Sequence, residues 1–181
     1  MDAMPQSRPA KVSPLAPDTY EKCLAAGAVI LFGFVAAALV RGRGEWGQVP
    51  PIVWFHLGSI MIAVGLTPLM LLRRRGDRLH RRLGWLWAGA MILTAALSLF
   101  IRQINHGGFS IIHILSAWTL VQVPVIVVAA RRHNIVRHRR SVRAMVTGAL
   151  LIAGFFTFPF NRRPIRGKLS RGLRLKKRGK K

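Results

Sequence analysis

Residues 54–82 read WFHLGSIMIAVGLTPLMLLRRRGDRLHRR. Up to Leu72 the stretch carries no charge, and then six arginines arrive within ten residues. An uncharged apolar run of about 20 residues, rising 1.5 Å per residue as a helix, crosses the roughly 30 Å of hydrocarbon in a bilayer. The passage returns, altered, at residues 111–140 as IIHILSAWTLVQVPVIVVAARRHNIVRHRR. In both copies a histidine comes first (His56, His113) and a serine follows three places on (Ser59, Ser116). Then come a proline (Pro68, Pro124), an arginine cluster and a second histidine inside H-R-R (His80, His138). The spacing between histidines differs by one residue. An internal repeat dictates architecture. Apolar segments ending in arginine resemble one another by default, but four landmarks in register favour duplication. The repeat predicts a duplicated membrane hairpin carrying four histidines in two matched pairs.

Composition agrees with that reading. Half of the 181 residues are hydrophobic, yet the formal net charge is +24. In a soluble protein this mixture points to nucleic acid. Here the charge lies in short blocks between long apolar runs, the pattern of a multi-pass membrane protein, so no nucleic-acid partner is expected. The single cysteine, Cys23, excludes an internal disulfide or a cysteine metal cluster and reads as inert packing.

Residues 1–22 are polar, carry four prolines and show no period, so they are expected to be a disordered cytoplasmic N-terminus. They lack the order of a signal peptide, and Met1 is expected to begin the mature chain. The transmembrane domain is expected over 23–160. Its spans are Cys23–Val40, Ile52–Leu72, Leu83–Ile101, Ile111–Ala130 and, shortest, Ala144–Phe160. The loops after the second and fourth spans hold six arginines each, against two and one after the first and third. Basic short loops stay in the cytoplasm. The N-terminus is therefore expected inside, with Trp46 and Trp54 at the outer interface and Trp85 and Trp87 at the inner one. The tail, 161–181, has eleven Lys and Arg and no acid. With five spans it would lie outside, against that rule. Either the fifth helix is re-entrant and the tail grips anionic lipid inside, or the tail is translocated regardless, or it is an end unrelated to the core. The basic loops themselves are expected to meet anionic headgroups.

His56 and His113 fall early in two spans that run the same way, so their imidazoles share a depth in the outer leaflet. His80 and His138 belong to the opposite face. Helices related by a two-fold axis along the membrane normal would bring one pair together near each surface. Neutral imidazole ligates iron, copper or zinc, and bundle cores host such groups. All four histidines are thus candidate haem b ligands, with His56 and His113 the leading metal pair. Ser59, Ala63 and Thr67 share the helical face of His56, and Ser116, Ala117 and Leu120 lie on or beside that of His113. Such small residues leave room for a flat macrocycle. Arg81, Arg82, Arg139 and Arg140 are candidates to pair with its propionates. The competing reading makes His80 and His138 headgroup-facing polar residues, and His56 and His113 interhelical hydrogen-bonders. His106 and His133 read as solvated loop residues. No span contains a carboxylate, which disfavours a proton relay built on Asp or Glu. Pro68 and Pro124 either widen the inner half of the bundle or are ordinary membrane-helix prolines. Gln122 reads as an interhelical hydrogen-bonder.

At L-H-R-R-L-G-W-L-W (Leu79–Trp87) and R-H-R-R-S-V-R-A-M (Arg137–Met145) the chain resembles the bacterial membrane-protein family called domain of unknown function 2306. The likeness covers about residues 52–160. It departs at the second motif, where Arg143 precedes Ala144 and Met145 instead of following the methionine. It implies a bacterial inner-membrane protein with several helices and no established activity. A more distant likeness is to the two-haem transmembrane cytochromes b reduced by ascorbate. In those, haems near each face would correspond to His56 with His113 and His80 with His138, although the spacings here are shorter.

The expectation is an all-α bundle of about five spans. Two functions are open. One is a haem b protein passing electrons across the membrane between quinol, or another reductant, and an acceptor. The other is a cofactor-free scaffold, assembly factor or transporter subunit.

Overall fold

The computed structural model describes residues 16–101 and 111–148, and every regular element among them is helical. In order these are α1 (Thr19–Arg41), a 3-10 turn (Arg43–Gln48), α2 (Pro51–Leu72), α3 (Arg78–Phe100), α4 (Ile111–Arg131) and α5 (Ile135–Met145). The first four α-helices are long and apolar enough to cross a membrane. Their bounds follow the expected spans within a few residues at each end. The expected fifth span is described only as far as Gly148, so its remainder, the basic tail and His106 lie outside the described residues.

Local sequence explains each start. Asp18 and Glu21 form a reciprocal capping box on α1, so the helix opens at Thr19, four residues ahead of the expected Cys23. Cys23 itself is exposed rather than packed. Pro51 stands in the first turn of α2, where its missing N–H costs nothing. Asp77 caps α3 by accepting from the His80 N–H at 2.6 Å. Asn134 caps α5 by accepting from the Arg137 N–H at 3.0 Å. The stretch after α4 was expected to be a basic loop. After a short turn it is instead an amphipathic helix carrying His138.

The two turns that end the repeated segments are built alike. Gly76 has φ 88° and precedes Asp77; His133 has φ 54° and precedes Asn134. Each turn is thus a left-handed residue followed by an Asx cap. Glycine enters that region freely, whereas histidine does so against its Cβ.

Successive helices pack side by side, α1 on α2, α2 on α3, α3 on α4 and α4 on α5. Small side chains line these contacts, among them Ala25, Ala63, Ala88 and Ala129, as helix association in lipid favours. A Cβ on Gly65 would lie 3.3 Å from the Phe32 ring, which marks how closely α1 approaches α2. Large apolar side chains face outward instead: Phe34, Phe55, Ile92, Phe100 and Ile114 are all exposed. A bundle with this outer surface belongs in a bilayer, where such side chains meet lipid. Pro68 and Pro124 both sit inside continuous helices.

Hydroxyls bind α3 to both neighbours. Thr94 donates to Ser59 at 2.7 Å, and Ser98 meets Ser116. Thr94 and Ser98 are one turn apart, so one stripe of α3 engages the matched serines of both repeats. Trp87 Nε1 donates to Thr67 Oγ1 at 3.0 Å, and Thr67 donates in turn to the Ala63 carbonyl. Trp87 is therefore a core residue, buried, and not the interfacial one expected; Trp85 is 60% exposed and fits that role.

Candidate functional site

The arginine-rich turns, the start of α1 and the whole of α5 meet at one end of the bundle. Glu21 stands at their centre, only 1% exposed. Arg139 grips it with two bonds, Nε to Oε1 at 2.8 Å and Nη2 to Oε2 at 3.0 Å. Arg143 adds Nε to Oε1 at 3.2 Å, and Arg75 forms a further ion pair. Asp18, at the rim, pairs with Arg139 at 3.0 Å and with Arg143. Its carboxyl is held below its usual range by the Glu21 backbone N–H and, beyond that, by Arg143 and Arg139. Tyr20 completes the joint, with its hydroxyl 2.8 Å from that of Thr147 and its ring under the Arg143 guanidinium. α1 is therefore tied to the turn after α2 and to α5 by charge.

Sequence reasoning misses this cluster because residues 1–22, with four prolines and no apolar period, read as one disordered segment. A signal was present: D-T-Y-E ahead of an apolar run is a helix-start pattern. Moreover, three of the chain's five acids (Asp18, Glu21, Asp77) fall at the arginine-rich end.

Beside the cluster lies a cavity of about 870 Å³. Leu71, Trp87, Ala88, Ile126 and Val127 give it apolar walls, and Arg74, Arg81 and Arg131 stand on its lining with Arg75 and Arg139. His80 of α3 and His138 of α5 both line it, their ring centroids 6.5 Å apart and their planes crossing at 73°. His138 Nδ1 lies 3.1 Å from the Ile126 carbonyl. A carbonyl only accepts, so Nδ1 carries the proton and Nε2 the lone pair. Burial pushes the His138 imidazole below its usual pKa, which keeps it neutral near pH 7. His80 Nδ1 is buried with no hydrogen-bond partner.

Of the four arginines expected beside a ligand at this face, Arg81 and Arg139 line the cavity, and Arg139 is committed to Glu21 and Asp18. Arg140 lines a different groove.

His56 and His113 are placed differently. His56 Nδ1 donates to the Thr94 carbonyl at 3.1 Å, which ties the ring to α3 and leaves Nε2 with its lone pair. His113 is buried on α4, one turn from Ser116. Among the described residues, the ring contact between histidines of the two repeats is the one joining His80 and His138. The small face of α2 below His56 (Ser59, Ala63, Thr67) is buried, with Ser59 and Thr67 bonded to α3. Among the described residues, no group of three or more His, Cys, Asp and Glu side chains is arranged to hold a metal ion by itself.

No family model, no curated protein and no solved structure matches the chain.

Proposed function

We propose that the chain is a membrane electron-transfer protein that binds haem b between His80 and His138. The observation that carries this reading is the ring separation. Two imidazoles that shared one metal ion would stand about 6 Å apart, ring centre to ring centre. The separation in the fold is 6.5 Å. The surroundings fit the group as well. The cavity is apolar inside and carries arginines on its lining, which suits a macrocycle with two carboxylates. The bond to the Ile126 carbonyl fixes the His138 tautomer that a metal needs. His80 brings a ring with a buried nitrogen that nothing else satisfies.

Bound haem supplies one-electron chemistry, at a potential set by its axial ligands and its exposure. The chain's part is to hold both imidazoles neutral and oriented, to exclude water with Trp87 and Ile126, and to offer cations to the propionates. Arg74, Arg81 and Arg131 suit that last task better than Arg75 and Arg139, which Glu21 engages. His56 and His113 are the ligands of a second haem in this reading, supported by the repeat and by the free Nε2 lone pair of His56. The arginine-rich end faces the cytoplasm of a bacterial plasma membrane, since both basic turns and the start of α1 share it.

The test is a reduced-minus-oxidised spectrum of detergent-purified protein made under haem-replete conditions. His80→Ala and His138→Ala should each remove the same b-type component. A flat wild-type spectrum removes the proposal and leaves a cofactor-free membrane protein. Unequal losses from the two variants contradict a shared haem.

A further inference from the structure

α5 carries two pairs of arginines on different faces. Arg139 and Arg143 turn to α1 and hold Asp18 and Glu21. Arg137 and Arg140 are exposed, and among the described residues no acid pairs with either. They line a groove of about 580 Å³ between α4 and α5, together with Gln122, Val125, Val136 and Ser141. We propose that this groove is a binding site for one anionic phospholipid, its phosphate held between Arg137 and Arg140 and an acyl chain laid along α4 toward Gln122.

Charge complementarity chooses the occupant. Arginines three apart on a helix are neighbours, and like charges so placed repel until an anion lies between them. Among the described residues, carboxylates meet this need for Arg139 and Arg143, and none meets it for Arg137 or Arg140. The basic tail, 161–181, has no acid to supply and repels the groove. A second copy would bring the same cations to it. Apolar walls select a lipid over a free phosphate. Gln122 and the two arginines line one groove, where α5 folds back along α4 and sets His138 level with Ile126. The walls between are apolar (Val125, Val136), and Val136 is 80% exposed at the mouth. A basic pocket between membrane helices at the cytoplasmic face suits an anionic headgroup. The site is separate from the histidine cavity and does not depend on haem.

The experiment uses the full chain in phosphatidylcholine nanodiscs containing a minority of phosphatidylglycerol, with retained lipid counted by native mass spectrometry. Arg137→Gln/Arg140→Gln is compared with Arg78→Gln/Arg82→Gln, which removes the same charge from exposed arginines of α3. Wild type and the α3 variant should keep phosphatidylglycerol in preference to phosphatidylcholine. The α5 variant should lose that preference by roughly thirtyfold at most, about fivefold per arginine. Arg137→Lys/Arg140→Lys, which keeps the charge, should retain most of it. Equal retention by the two glutamine variants overturns the site, as does equal loss. Displacement of the lipid by inorganic phosphate alone would show a small-anion site and overturn the lipid assignment.

Discussion

Glu21→Gln is the most informative single change in this chain, because it removes one charge and almost no volume. Glutamine also suits the third position of a capping box, so α1 should still begin at Thr19. What changes is the carboxylate that Arg75, Arg139 and Arg143 share. Its two oxygens accept from Arg139 and Arg143 and pair with Arg75. The amide offers one oxygen and turns its NH2 toward groups that can only donate. Arg75 is the most exposed to loss, since its side chain is only 9% solvent-accessible and water replaces the carboxylate poorly.

Removing one partner of a buried ion pair costs about 3–5 kcal/mol, largely because the other charge stays behind. For a chain of 181 residues that corresponds to a fall of roughly 6–20 °C in the unfolding midpoint, at about 2–4 °C per kcal/mol. The assay is tryptophan fluorescence during a temperature ramp of purified protein in one detergent. Arg75→Met in the Glu21→Gln background should recover part of the loss, so the two changes should depart from additivity by about 1–3 kcal/mol. A midpoint within about 3 °C of wild type, or strict additivity, would show that this end of the bundle stands without its charge cluster and would refute the reasoning.

Two further outcomes follow from named contacts. Asp18 has a carboxyl held below its ordinary 3.8 by the Glu21 N–H and by Arg143 and Arg139; a depressed acid adds stability above the unfolded value, and that stability is lost as pH falls through the folded one. The midpoint of wild type should therefore drop more between pH 6 and pH 3 than that of Asp18→Asn, and equal drops would deny Asp18 the role. Trp87→Phe should cost about 1–3 kcal/mol through the lost bond to Thr67 and the small void left in the core. Thr67→Val/Trp87→Phe should then cost less than the two single changes added, as thermal unfolding of all three variants would measure.

Hydropathy located the four long helices because the bilayer sets one length and tolerates no charge within it. Arginine counting likewise placed both basic turns together, and they do share one end of the fold. What hydropathy hides is how polar groups pair. Asp18 and Glu21 stand among prolines and lysines in a segment with no apolar period, and their partners are more than 50 residues away in the chain. α5 reads as loop in the sequence because five of its eleven residues are arginine or histidine. Yet those residues divide by helical face: Arg139 and Arg143 to the carboxylates, His138 to the cavity, Arg137 and Arg140 to the outer groove. The burial of Trp87 is hidden for a related reason. An indole near a helix start suits a membrane interface, and only the Thr67 hydroxyl, 20 residues back, makes its burial tolerable.

The one-residue difference between the repeats has a structural consequence. His80 is the third residue after its Asx cap and His138 the fourth. A helix turns about 100° per residue, so the two histidines do not point the same way from their caps. In the second copy the third position belongs to Arg137, which lines the groove between α4 and α5. The added residue carries the imidazole round to the other face of α5, where Ile126 fixes its tautomer and His80 stands opposite. A strict duplication would have set a guanidinium where one imidazole now lies. The departure from exact repetition, and not the repetition alone, is what assembles two neutral ring nitrogens at the charged end of the bundle.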